Sequence, residues 1–213
     1  MDGPVWVIVV AAGRGTRFGG AKQYAPLAGR RVLDWSVATA RTVADGVVLV
    51  VPPWQAADAE PEVDTWVPGG ATRSDSVRAG LAVVPDDAAV IVVHDAARPL
   101  APPSLFRAVI GAVRAGADAA VPGVEVVDSL RTRDGGAVDR NSLVAVQTPQ
   151  AFGADILRRA HAGGADASDD ATLVEAVGGS VVVVPGQPTN RKLTDPGDLT
   201  VAESVLAARL KEA

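Results

Sequence analysis

An α/β fold with a mostly parallel sheet is what this chain predicts, on three observations. Short valine-rich runs recur at residues 5–10, 47–51, 89–93, 117–121 and 181–184, with the length and β-branched content of buried strands. Segments of helical patterning separate or follow them, at 33–43, 74–84, 103–115, 155–162, 169–177 and 197–211. The first run breaks within three residues into glycine and arginine, so a strand ends in a loop built for a ligand. Buried strands alternating with helices form a sheet covered on both faces, and ligands of such sheets sit at the carboxyl ends of the strands. With 213 residues and 48% hydrophobic content, one domain is expected.

The loop after the first strand reads AAGRGTRFGGAKQY. Gly13, Gly15, Gly19 and Gly20 permit close backbone approach, and Arg14, Arg17 and Lys22 place three cations among them, which suits a polyphosphate. The loop fits neither familiar pattern. A dinucleotide fingerprint needs glycine where Phe18 stands, and a P-loop needs Gly-Lys-Ser/Thr where Ala21 separates Gly20 from Lys22 and Gln23 follows. Further on, GGATRSDSVRAG (69–80) is a second glycine turn entering a helix. Ser74 or Asp75 is expected to cap that helix, which leaves Ser76 for a ligand.

The strand at 89–93 runs into HDAARP. Asp95 then stands at a carboxyl end, a natural place for a metal or hydroxyl ligand, whereas His94 reads as a packed histidine. Residues 123–146 break the alternation with short pieces around Asp134, Gly135 and Gly136, a hairpin signature. Its edges want a partner, so it is a candidate dimerisation arm. TPQ (148–150) reads as a turn and SDD (168–170) as a helix cap. In TNRKLTDPGDL, Asp195 and Pro196 read as the N-cap and first residue of the last helix, with Lys192 just before them.

A formal charge of −5 disfavours a general nucleic-acid binder. Zero cysteines exclude disulfides and thiolate metal sites, and two histidines leave little for zinc, so the open metal chemistry is that of a hard cation on carboxylates and phosphates. Asp2 and the absence of a basic leader, with no run of about 18 apolar residues, lead to the expectation of a cytoplasmic protein without a membrane partner.

Taken in order, AAGRGTRFGGAKQY, GGATRSDSV, VHDAARP, VDRN, QTPQ, SDDAT and NRKLT resemble the 2-C-methyl-D-erythritol 4-phosphate cytidylyltransferases of the non-mevalonate isoprenoid pathway, over essentially the whole chain. The resemblance implies a single-domain Rossmann-like nucleotidyltransferase fold with an inserted hairpin arm at 123–146. It implies a homodimer that uses Mg²⁺ to join CTP to a sugar-alcohol phosphate. On this resemblance Arg17, Lys22, Asp95 and Lys192 are the catalytic set, with Arg17 and Lys22 on the triphosphate. Ala11, Ala12 and Gly13 line the nucleotide, and Gly70, Ala71 and Ser76 read the cytosine. Arg98, Ser129, Thr148 and Ser168 belong to the acceptor side, and Arg140 serves the neighbouring subunit's acceptor phosphate. Metal ligands from the protein are not assigned, the ion being held mainly by CTP. The chain departs from the family pattern at Ala21, where proline is usual, in its short loop between Arg17 and Lys22, and at Ser129 and Ser168, where threonine is frequent. Alternatives are a ribitol 5-phosphate cytidylyltransferase, a non-catalytic nucleotide-binding regulator, and a nicotinamide-dependent dehydrogenase, the last disfavoured by Phe18.

Overall fold

The computed structural model describes residues 2–55, 60 and 63–212. Strand β1 (Val5–Val10) lies at the centre of the main sheet, with β6 (Val90–Asp95) on one side and β4 (Gly46–Val51) on the other, both parallel to it. Beyond β4 lies β5 (Thr65–Pro68), also parallel. Beyond β6 come β11 (Gln150–Gly153) and β7 (Ala119–Glu125), with β11 antiparallel to both its neighbours. The pair β2 (Pro26–Leu27) and β3 (Arg30–Arg31) forms a separate small ribbon ahead of α1 (Val32–Arg41).

The valine runs of β1, β4 and β6 are strands buried on both faces, and their alternating side chains serve two cores. Val7, Val9, Leu49 and Val92 face the layer of α1 and α3 (Pro103–Arg114), where Leu33, Val37, Phe106 and Val109 meet them. Ile8, Val48, Val50, Ile91 and Val93 face the opposite layer of α2 (Arg73–Leu81), α4 (Ala154–Ala162) and α5 (Asp170–Ala176), against Val77, Leu157 and Val174. A third cluster joins Leu27, Val32, Leu100 and Leu193 to Ala202 and Leu206 of α6 (Gly197–Glu212), so the C-terminal helix is packed beneath the site.

The hairpin arm is present. Strand β7 runs on into it and returns as β10 (Val144–Val146), with Glu125 opposite Val144 and Gly123 opposite Val146. At its tip β8 (Leu130–Arg131) pairs antiparallel with β9 (Ala137–Val138). Strand β12 (Val181–Pro185) runs parallel to β7 along its other edge. Its sequence reads as a buried strand, but Val183 is 54% exposed, and Val144 and Val146 on the arm are exposed as well. Gly123 lets this apolar face close up, because a Cβ there would lie 2.7 Å from Val183 and 3.0 Å from Val144.

Several local expectations are corrected. Thr72, not Ser74 or Asp75, caps α2: its hydroxyl accepts from Asp75 N at 3.0 Å, and the Asp75 carboxylate accepts from Thr72 N at 3.1 Å, closing a capping box. Asp195 is not the side-chain cap of α6. The helix begins at Gly197, and Asp198 reaches back to accept from Thr194 N at 2.6 Å and Asp195 N at 2.9 Å. The TPQ turn leads straight into β11, since Gln150 already pairs with Val93. Asp169 caps α5 as expected, accepting from Thr172 N.

Helix α2 lies close on the sheet because Gly80 has no side chain: a Cβ there would stand 2.7 Å from Ile8 Cγ2 and 3.2 Å from Val50 Cγ2. Gly80→Val should therefore lower the unfolding free energy by about 1–3 kcal/mol, the usual cost of overpacking a close-packed core. Denaturant titration checks this, and unchanged stability would mean that the helix moves off the sheet freely.

Candidate active site

Three chain segments converge at the carboxyl ends of β1, β5 and β6. The first is the glycine loop. Ala11 N donates to Val50 O at 2.8 Å, continuing the sheet by one residue before the chain turns away. Gly15 adopts φ 61°, and a Cβ there would fall 1.8 Å from Gly20 O, so only glycine lets the loop fold back on itself. Gly20 N donates to Gly15 O across that fold at 3.2 Å. Short 3-10 turns at Thr16–Phe18 and Lys22–Tyr24 carry Arg17 and Lys22. The Lys22 ammonium donates to Leu193 O at 2.6 Å. Burial lowers its pKa, and the nearby Lys192 and Arg17 lower it further.

The second segment leaves β5 at Gly69, whose backbone approaches Ala12 so closely that a Cβ would be 2.3 Å from the Ala12 Cβ. Gly70 N donates to Ser76 Oγ at 3.2 Å, and that hydroxyl donates to Thr72 O at 3.0 Å. Ser76 thus shapes the turn that presents Gly70 and Ala71.

The third segment is the end of β6. Register places Asp95 beside Val10, and Ala96 N donates to Val10 O at 3.0 Å. The Asp95 carboxylate accepts from Lys192 Nζ at 2.6 Å and from Arg73 Nε at 3.3 Å. Although burial opposes ionisation, Arg73, Lys192 and Arg98 together hold its pKa below the usual carboxylate range. Thr148 Oγ1 accepts from Asp95 N at 3.0 Å and lies 3.2 Å from His94 Nδ1. His94 is fully buried against Phe106, and burial lowers its pKa to about 4. Arg98 donates to Asn190 O at 2.8 Å, and burial lowers its pKa.

Between these walls lies a cavity of about 330 Å³. A family model described as 2-C-methyl-D-erythritol 4-phosphate cytidylyltransferase matches residues 5–208. The chain belongs to that family. The cytidylyltransferase of Nocardia farcinica is 44% identical over 222 residues, covering 98% of this chain and 96% of the relative. That of Saccharopolyspora erythraea is 44% identical over 226 residues, covering 95% and 99%. The crystal structure of the cytidylyltransferase from Thermus thermophilus matches with a TM-score of 0.83 at 35% identity, covering 94% of this chain and 98% of that one.

In this member of the cytidylyltransferase family the cavity is lined by Arg17, Lys22, Asp95 and Lys192, and also by Ala11, Ala12, Gly13, Gly70, Ala71 and Ser76. The residues expected on the acceptor side stand elsewhere. Thr148 is buried behind Asp95, and Arg98 is half-buried beside it, neither lining the cavity. Ser168 is exposed just ahead of α5. Ser129 and Arg140 are exposed on the arm, where Arg140 donates to Val127 O.

Sequence reasoning missed Arg73. It lines the cavity, bonds Asp95 and donates from Nη1 to Asp170 at 2.7 Å. One signal was available: Arg73 opens a helix, where the macrodipole disfavours a cation. An arginine in that place is held by something beyond its own helix.

The buried neutral His94 has a consequence for stability against pH. Its pKa is about 4 in the folded protein and 6.5 otherwise, so between those values the unfolded chain binds a proton that the native state does not. Its contribution is complete above pH 6.5 and is lost as pH falls towards 4, up to about 3 kcal/mol. Unfolding free energies measured across this window should fall more steeply for the native sequence than for His94→Gln, and equal slopes would contradict the assignment.

Proposed function

We propose that this chain transfers a cytidylyl group from CTP to 2-C-methyl-D-erythritol 4-phosphate, releasing pyrophosphate, as a step of isoprenoid synthesis. The observation that carries the reading is the meeting of Arg17, Lys22 and Lys192 with Asp95 around one cavity at the strand ends, in a chain of this family. In this reaction an oxygen of the acceptor phosphate attacks the α-phosphorus of CTP, the bond to the bridging oxygen breaks, and the β- and γ-phosphates leave as pyrophosphate. The acceptor phosphate is already largely ionised near neutral pH, its second pKa being about 6, so a strong general base is not needed. The obstacle is repulsion between anions. Arg17 and Lys22 are placed to neutralise the triphosphate, and Lys192 to meet the charge gathering at the α-phosphate.

The turn at Gly70 and Ala71, braced by Ser76, is suited to read a cytosine edge through backbone groups. For Mg²⁺ the donor set is sparse but compatible. Among the described residues no three acidic or histidine side chains form a cage, and Asp95 is the single carboxylate lining the cavity. Asp95 would be the protein oxygen to hold the ion, with ligand phosphates supplying the rest, and the ion would offset phosphate charge. No helix among the described residues is long and apolar enough to cross a membrane, which suits the cytoplasmic location expected from the sequence.

The exposed Val144, Val146 and Val183 on the arm and edge strand support a homodimer through this face. Arg140 sits on the same arm, outside its own chain's cavity lining, as a group supplied to the partner's acceptor site should.

The direct test is incubation with CTP, Mg²⁺ and methylerythritol phosphate, followed by detection of pyrophosphate and the CDP-alcohol, with ribitol 5-phosphate as the competing acceptor. Lys22→Ala should lower kcat by about 10²-fold or more, the scale of losing one preorganised electrostatic donor; an unchanged kcat would make Lys22 structural. Shared sites predict complementation. Lys22→Ala and Arg140→Ala should each be nearly inactive as pure proteins. Refolded together in equal amounts, about half the dimers are mixed and carry one intact site each, so activity should return to roughly a quarter of the native value. No recovery, with mixed dimers confirmed by mass, would mean that Arg140 serves its own subunit or that the two sites are coupled, and would overturn independent shared sites.

A further inference from the structure

Five charged or polar side chains from five parts of the chain form one continuous line that ends at the cavity wall. At its inner end His161 Nε2 lies 3.1 Å from Asp170 Oδ1, both residues being buried. Asp170 Oδ2 accepts from Arg73 Nη1 at 2.7 Å, Arg73 Nε donates to Asp95 Oδ1 at 3.3 Å, and Asp95 Oδ2 accepts from Lys192 at 2.6 Å. The line thus runs from the α4 and α5 layer to the cavity wall.

Its composition is unusual for a purely structural network. A buried carboxylate such as Asp170, with no exposed side-chain surface, requires an opposite charge. The cation it receives begins a different helix and is turned towards the cavity rather than into the core. Arg73 faces two carboxylates and Asp95 faces two cations, so Lys192 shares its only carboxylate with Arg73, whereas Arg73 has Asp170 besides. Arginine suits such a bridge because its planar fork fixes two partners at once, which a lysine cannot do.

We infer that Arg73, fixed from behind by Asp170 and His161, is a positioning residue for cytidylyl transfer. It sets the orientation of the Asp95 carboxylate from which Lys192 is presented to the phosphates, and by sharing that carboxylate it leaves Lys192 part of its charge for the ligand. The inference rests on the proposed cytidylyl transfer and names residues outside the set expected from the sequence.

The test is a double-mutant cycle with Asp170→Asn and Asp95→Asn, which keep side-chain shape and remove charge. Asp170→Asn should lower kcat by about 10- to 100-fold, the scale of a displaced reacting group, with the KM for CTP changed by less than about threefold. If the effect passes through Asp95, Asp95→Asn with Asp170→Asn should be no slower than Asp95→Asn alone. Multiplying losses, or a kcat that falls only with the folded fraction, would make Asp170 structural and overturn the inference. Should Asp170→Asn fail to fold, Arg73→Lys keeps the charge and removes the fork. It should lose kcat similarly, together with one slowly exchanging arginine Nε–H resonance seen in the native protein. Native-like turnover in Arg73→Lys would overturn the inference equally. An inactive native protein would instead defeat the functional reading, whereas an active one with independent losses defeats only this proposal.

Discussion

Asp95 is the one negative side chain in a cavity lined by Arg14, Arg17, Lys22, Arg73 and Lys192, and the arrangement of the others depends on it. Five cations drawn together without a counter-charge repel one another; a pair 4 Å apart at a protein surface costs on the order of 4 kcal/mol. One carboxylate cannot neutralise them all. It organises two directly and leaves the site strongly positive, the state in which a polyanion is most welcome. The same carboxylate is largely buried by β6 and its neighbours, so its attraction for Arg73 and Lys192 is less screened than at an open surface.

The sheet makes this placement possible. Asp95 is the last residue of a strand whose preceding side chains are locked into two hydrophobic layers, and its register against Val10 puts it level with the start of the glycine loop. Lys192 arrives from the other end of the sequence, on a segment tied down by Leu193 N to Ala97 O at 2.8 Å and by the carboxylate of Asp198. Neither tether uses a charged group of the cavity, yet both decide where a long lysine side chain can reach.

The strands and helices that build this frame were legible because each valine run and each amphipathic segment is a local pattern. Strand β5 was missed because TWVP is four residues long and half-buried, and β11 because QAFG offers a single large side chain and owes its burial to β6 and β7. The cavity residues Lys22, Asp95 and Lys192 were reached through motifs at strand ends. Arg73 was not, because its partner Asp170 is 97 residues away. A short-range motif describes which atoms a loop displays, whereas a pairing across layers exists only once the layers have formed. Capping failed for a related reason: Thr72, Ser74 and Asp75 all have the chemistry of an N-cap, and the turn imposed by Gly69 and Gly70 decides among them.

The Lys22 ammonium, held by a backbone carbonyl at 2.6 Å, has already exchanged part of its hydration for protein. Stripping water from an ammonium is costly, and here folding bears part of that cost before any nucleotide arrives. A phosphate oxygen reaching Lys22 replaces one acceptor with a better charged one, without first having to unwrap the cation. The Leu193 carbonyl serves as a placeholder for the ligand: it holds the lysine in place and partly dry, and it is a neutral group that an anion can displace.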